Sequence, residues 1–307
     1  MGTERILVVD DDAGKRTLMQ MRLAASGYDV SVAEDGLRGL SAAHDQQPDL
    51  ILLDVSMPGL DGHEVLRALK QDHTTQSIPV VMLTCMGDMD SKLAGLSEGA
   101  DDYLVKDQVD YRELDVRIRG LLSRTRSRIN ANPLTGLPGN VEIQTRLRQA
   151  IASALPYAVI YADLDHFKAY NDVYGFSKGD EVIRFLGQLL VRATQELGAL
   201  GDFVGHVGGD DFVAITDPAS AMAIGACVAL AFDQQAPRYY DEFDRFKGGI
   251  STADRFGEMR TYPLVGVTLA GISNRNQRYA NPDDIATAAA ELKHQLKPRP
   301  GSKYAIL

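Results

Sequence analysis

Leu50-Ile51-Leu52-Leu53-Asp54-Val55-Ser56-Met57-Pro58-Gly59 decides the fold of the first part of the chain. Four successive apolar residues predict a strand buried on both faces, as in a parallel sheet. The strand ends in an acid and then a Pro-Gly turn. The same kind of run recurs at Ile6-Leu7-Val8-Val9, Val30-Ser31-Val32-Ala33, Val80-Val81-Met82-Leu83 and Tyr103-Leu104-Val105. An amphipathic stretch follows the runs, which is the pattern of repeated βα units. Three runs lead straight into polar residues: Asp10-Asp11-Asp12, Asp54 and Thr84. Ligand sites of open α/β sheets lie at the carboxyl ends of the strands, so these side chains are expected to share one pocket.

The 307 residues suffice for two domains, and 45% hydrophobic with 24% charged residues indicates a globular chain. A net charge of -10 argues against nucleic acid or an anionic membrane as the main partner. Arg112, Arg117, Arg119, Arg124, Arg126 and Arg128 are interleaved with acids and read as the wet face of a helix. The two cysteines, Cys85 and Cys227, form no zinc or disulfide spacing, which suits a reducing compartment. Ile6–Val9 is too short for a signal peptide, and no run approaches the roughly 20 apolar residues of a membrane helix. A cytoplasmic location is expected.

Leu114, Ile118, Leu121, Thr125 and Ile129 follow a helical, roughly heptad spacing. This predicts a helix over 111–129 that continues as a linker and can pair with its twin in a homodimer. Asn132-Pro133 ends it. Domain boundaries are therefore expected at 1–125, 126–132 and 133–307. Beyond the linker the sequence predicts a helix over 141–154, a strand over 158–162 running into Asp163-Leu164-Asp165, and a long helix from about Gly179. Phe203–Val207 and Phe212–Ile215 are strands joined through Gly208-Gly209-Asp210-Asp211. An irregular or hairpin insertion follows over 236–262, then a strand over 264–270 and a helix over 282–296. The pattern is α+β with a mixed sheet.

A carboxylate accepts a phosphoryl group when a divalent cation, a lysine and a hydroxyl neutralise and orient the phosphate oxygens, and magnesium suits such a site. Asp10-Asp11, Asp54, Thr84 and Lys106, with Tyr103 three residues before the lysine, resemble the response regulator receiver family over the whole first domain. The resemblance implies a flavodoxin-like doubly wound fold. It makes Asp54 the phosphoacceptor, Asp10, Asp11 and Asp54 the Mg2+ ligands, and Lys106 and Thr84 the groups that hold the phosphoryl. A sensor histidine kinase is the implied partner. Asp107 stands where the family usually carries proline, often after a cis bond, and a non-proline cis bond costs about 2.5–4 kcal/mol.

Joining two nucleotides requires a metal clamp on the phosphates, a carboxylate near the attacking hydroxyl, and glycines where backbone meets phosphate. Gly208-Gly209-Asp210-Asp211-Phe212 resembles the motif that names the GGDEF family, with Asp211 in place of glutamate. Leu134-Thr135-Gly136-Leu137-Pro138, Asp163-Leu164-Asp165-His166-Phe167-Lys168, Asn171-Asp172 and Gly179-Asp180 match its other segments, from about Asn132 to Ile215. The resemblance implies a nucleotidyl-cyclase-like α+β domain that condenses two GTP into cyclic di-GMP.

Carried over, Asp163, Asp210 and Asp211 bind Mg2+ and supply the base, without a division of roles between Asp210 and Asp211. Phe167, Lys168, Asn171, Asp180, Gly208 and Gly209 bind nucleotide; Asp180 accepts from guanine's N1–H and amino group, a donor pair that adenine lacks.

Several positions depart from the family. Asp211 is one methylene short, which leaves a metal ligand about 1 Å short. His206 replaces an arginine, and Ala199 stands where the product-inhibition arginine is expected ahead of Asp202. The basic segment is blurred to Lys297-Pro298-Arg299-Pro300-Gly301-Ser302-Lys303, which reads equally as phosphate ligands or as a solvated tail. The alternative is thus a degenerate module that binds GTP or cyclic di-GMP as an adaptor. With no recognisable helix-turn-helix, DNA is not an expected partner.

Overall fold

The computed structural model describes residues 3–84, 99–106, 110–153, 155–253, 258–276 and 278–307, without the side chains of 127–129 and 253. The chain divides into two compact units, Met1–Ile129 and Asn130–Leu307. Cys85, Asp107 and Ala154 lie outside the described residues, and so does the bond joining Lys106 to Asp107.

In the first unit, β1 (Arg5–Val9), β2 (Asp29–Ala33), β3 (Leu50–Asp54), β4 (Val80–Thr84) and β5 (Asp102–Val105) form one parallel sheet in the order β2-β1-β3-β4-β5. This is the doubly wound flavodoxin-like order, with its switch point between β1 and β3. The described helices are α1 (Ala13–Ala25), α2 (Gly36–Gln46), α3 (Gly62–Gln71) and α4 (Tyr111–Asn130). Local chemistry sets their starts. Asp12 and Asp35 accept backbone N–H groups at the N-termini of α1 and α2, and Asp61 with Glu64 closes a capping box on α3. Alternating residues of the strands feed two cores, one on each side of the sheet.

Gly62 opens α3 directly against the end of β3. A Cβ there would overlap the Asp54 carbonyl oxygen and stand 2.8 Å from Val55 Cα. Since backbone cannot swing aside, Gly62→Ala is expected to lower stability by about 2–4 kcal/mol in chemical denaturation.

The second unit contains α5 (Asn140–Ala152), β6 (Ala158–Asp165), α6 (Phe167–Tyr174), α7 (Phe176–Leu197), β7 (Phe203–Gly208), β8 (Asp211–Thr216) and α8 (Ser220–Gln235). A 3-10 turn (Ala236–Tyr239) and α9 (Glu242–Lys247) lead to the separate hairpin β9 (Gly249–Ala253) and β10 (Met259–Pro263). β11 (Gly266–Ser273), α10 (Pro282–Leu296) and β12 (Lys303–Ile306) follow. The five-stranded sheet runs β12-β11-β6-β8-β7, with β12 parallel to β11 and the other pairs antiparallel.

The structure differs from the sequence reading at one helix start and adds two features to it. The long helix starts at Phe176, not near Gly179, and a separate α6 precedes it, because Gly175 at φ 82° breaks the helical path between them. α8 carried no sequence expectation: it is apolar on nearly every side, so it lacks the polar stripe that reveals a helix. The Lys297–Lys303 segment is exposed from Lys297 to Gly301, but its end is not solvated. Lys303 begins β12 and is 9% exposed. Its Nζ pairs with Asp165 at 2.9 Å and donates to the carbonyls of Arg299 and Gly301.

Candidate functional sites

The carboxyl edge of the first sheet gathers the acids as expected. Asp10 follows β1, while Asp54 ends β3, with Leu83 as its register partner. Thr84 ends β4 opposite Val105, the residue before Lys106. Asp10, Asp11 and Asp54 each offer an oxygen, all within 4.8 Å of one another. Hard carboxylate oxygens alone suit Mg2+. Asp12, the third acid of the run, is diverted: its side chain accepts the Gly14 and Lys15 N–H groups, and its own N–H donates to Asp10 Oδ1 at 2.9 Å.

Lys106 Nζ stands 2.7 Å from Asp10 Oδ2 and 2.6 Å from Asp54 Oδ2. Burial works against this ammonium, yet its bonds to Asp10 and Asp54 outweigh burial and raise its pKa. Burial also pushes the Asp54 carboxyl up, against the pull of Lys106. Thr84 and Tyr103 are buried at the same edge. Lys106 thus points at Asp10 and Asp54 together.

In the second unit a cavity of about 780 Å³ is lined by Asp163, Phe167, Lys168, Asn171, Asp180, Gly209 and Asp210, among others. Gly208 and Gly209 form the β7–β8 turn at φ 148° and 60°, a region that favours glycine. Asp163, Asp210 and Asp211 place ligand oxygens within 4.8 Å of one another. Burial, and next the charge of Asp163, push the Asp210 carboxyl up to about 6. Asp163 Oδ2 is buried without an aligned hydrogen-bond donor, although Lys297 Nζ lies 2.9 Å away. An open, buried carboxylate lone pair beside two more acids fits a divalent cation.

Asn171 Oδ1 is likewise buried and without a hydrogen-bond partner among the described residues. It sits against Gly179, where a Cβ would overlap that oxygen and lie 3.0 Å from Asn171 Cγ and 3.1 Å from Phe167 Cζ. Gly179→Ala is therefore expected to displace the Asn171 amide and weaken guanine nucleotide binding at least about tenfold, measured by calorimetry.

Two residues at this site carry no motif signal in the sequence. Lys293 reaches Asp163 Oδ1 at 2.8 Å and Asp211 Oδ1 at 3.1 Å; its only trace was the i, i+4 spacing with Lys297 in the last turns of an acid-capped helix. Phe176 lines the cavity while 78% exposed, an aromatic placed between Gly175 and Gly179.

His206, read as a lost arginine, turns out to be a buried strut beneath the glycine turn. Its Nε2 donates to Gly209 O at 3.0 Å, its Nδ1 meets Thr135 Oγ1 at 2.9 Å, and its ring stacks on Phe212. Burial lowers its pKa and so favours this neutral form. Asp202 accepts from Ala199 N–H and Thr216 Oγ1, a loop-closing role.

Comparison with known proteins finds a response regulator receiver domain over residues 6–119 and a diguanylate cyclase GGDEF domain over 129–252. The DNA-binding dual master transcriptional regulator RpaA of Synechocystis is 42% identical over 147 residues, covering 45% of this chain and 61% of its own. The phosphate regulon transcriptional regulatory protein PhoB of Pseudomonas aeruginosa is 43% identical over 120 residues, 39% of this chain and 52% of its own. This chain thus spans about half the length of the curated relatives it matches, and the DNA-binding relatives match its receiver only. The solved receiver domain of a Francisella response regulator is 32% identical, covering 40% of this chain and 99% of its own, with a TM-score of 0.38.

Proposed function

Because the chain carries a response regulator receiver domain followed by a GGDEF domain of the diguanylate cyclase type, we propose that it is a phosphorylation-controlled diguanylate cyclase. The observation that carries this reading is the joint placement of Asp163, Asp210, Asn171 and Asp180 around one cavity. A sensor histidine kinase donates the phosphoryl group to Asp54, with Lys106 and Thr84 holding its oxygens. Among the described residues no helix is long and apolar enough to cross a membrane.

In the output domain Asn171 and Asp180 hold the guanine edge, and Lys168 and Lys297 face the phosphates. Asp163, Asp210 and Asp211 would hold Mg2+, which when bound neutralises the phosphate oxygens and the leaving pyrophosphate. The 3′-hydroxyl oxygen of one GTP forms a bond to the α-phosphorus of the other, and the bond to pyrophosphate breaks. Two such steps yield cyclic di-GMP and two pyrophosphates. Asp210 is suited to receive the hydroxyl proton, since it has no ion-pair partner among the described residues, whereas Asp211 is tied to Lys293. A homodimer is required, because each domain presents one nucleotide to its twin.

The purified chain with GTP and Mg2+ is expected to release cyclic di-GMP, and Asp210→Ala to abolish the product while GTP still binds. The Lys293 bridge and the short Asp211 favour a second reading, an adaptor that holds guanine nucleotide without turnover. Bound GTP with no product from the parent protein would establish that reading.

A further inference from the structure

Lys293 occupies an unusual place in the carboxylate cluster. It lies in the last turn of α10, which is held to the sheet by buried Leu292 and Leu296. Lys297 stands one turn on, so both lysines project from one face. Their ammonium groups take the two oxygens of Asp163, Lys293 on Oδ1 and Lys297 on Oδ2. Only Lys293 also reaches Asp211, joining the end of β6 to the start of β8. The two lysines differ in exposure as well: the Lys293 side chain is 22% exposed and that of Lys297 46%. The first is embedded in the cluster, while the second leans in from solvent.

From this geometry we propose that Lys293 is a tethered cation, standing in for one of the two divalent ions that a nucleotide-joining carboxylate cluster takes. Asp163, Asp210 and Asp211 carry three negative charges, and the bridging ammonium with one divalent ion neutralises them. A second divalent ion would be driven off by the ammonium between the same two oxygens. The short Asp211 belongs with this arrangement, because the ammonium already holds one of its oxygens and leaves the other for the single ion. Lys297 is then the surplus positive charge available to a phosphate group. The inference rests on the metal role given to these carboxylates above, and its test omits nucleotide so that the two ideas fail separately.

The test is Mn2+ binding to the full chain, followed by electron paramagnetic resonance without nucleotide. An Asp11→Asn background silences the receiver site. Lys293→Met, uncharged and of similar length, is expected to tighten Mn2+ binding by about tenfold or more. Lys293→Arg, which keeps the charge, is expected to bind as the parent does, and Lys297→Met to change affinity less than Lys293→Met. Unchanged or weaker binding by Lys293→Met overturns the proposal, as does equal tightening by Lys293→Arg. So does a parent protein that binds two ions at this site with equal affinity. If the parent takes up no GTP while Lys293→Met still gains Mn2+, the tethered cation stands and the nucleotide reading falls.

Discussion

Lys106→Met is expected to destabilise the receiver by about 3 kcal/mol in EDTA, the cost of stripping one partner from a buried ion-pair cluster. The side chains of Lys106, Asp10 and Asp54 are 8%, 4% and 5% exposed, so little water is available to take over from the ammonium. Without it, Asp10, Asp11 and Asp54 face one another across less than 4.8 Å. Mg2+ then becomes the main compensating charge. Millimolar Mg2+ is accordingly expected to raise the melting temperature of Lys106→Met more than that of the parent, through binding to the native state alone. Phosphoryl uptake by Asp54 is expected to fall at least about 100-fold even in Mg2+, since the lysine beside Asp54 is placed to neutralise the oxygens of the incoming phosphoryl group. Thermal melts in EDTA and Mg2+ check the first part, and labelling with a small phosphodonor checks the second. A variant as stable as the parent in EDTA would show that the ammonium is not what holds these acids together.

Asp163→Asn is expected to act on chemistry rather than on stability. Both oxygens of Asp163 face lysines in the structure, and one of them is the buried lone pair open to a cation. An amide there offers one weaker ligand oxygen and no charge. Cyclic di-GMP formation is expected to fall about 1000-fold or more, as the phosphates lose their clamp. Stability is expected to change by no more than about 1 kcal/mol, because the loss of the acid relieves Asp210 and the freed lysines reach water and Asp211. Product chromatography and denaturant titration of the same preparation separate the two effects. A large loss of stability with residual activity intact would make Asp163 a structural acid.

The receiver was legible because its signals are local and ordered. Short apolar runs such as Leu50–Leu53, bounded by turn signals, read as strands, and the acids at their ends converge once the sheet is parallel. The output domain was legible where motif and turn chemistry coincide, as at Gly208-Gly209, and not where the signal was long-range. Lys293 is 130 residues from Asp163 in sequence order, counting from 163 to 293, and nothing near it announces an acidic partner. Likewise, α8 hides in an unbroken apolar run. The strut role of His206 has no local signal, because its partners Thr135 and Gly209 meet it only in the folded turn. The pairing of Lys303 with Asp165 escaped notice for the same reason as Lys293, since only the sheet brings β12 beside the core strands.

The most direct test of the account is the rate of cyclic di-GMP formation from GTP and Mg2+ with and without beryllofluoride, which mimics phosphorylated Asp54. A several-fold rise with beryllofluoride is expected in the parent protein, and no response in Asp54→Asn. An identical rate in both conditions would contradict it, leaving a cyclase, or a nucleotide-binding adaptor, that the receiver does not control.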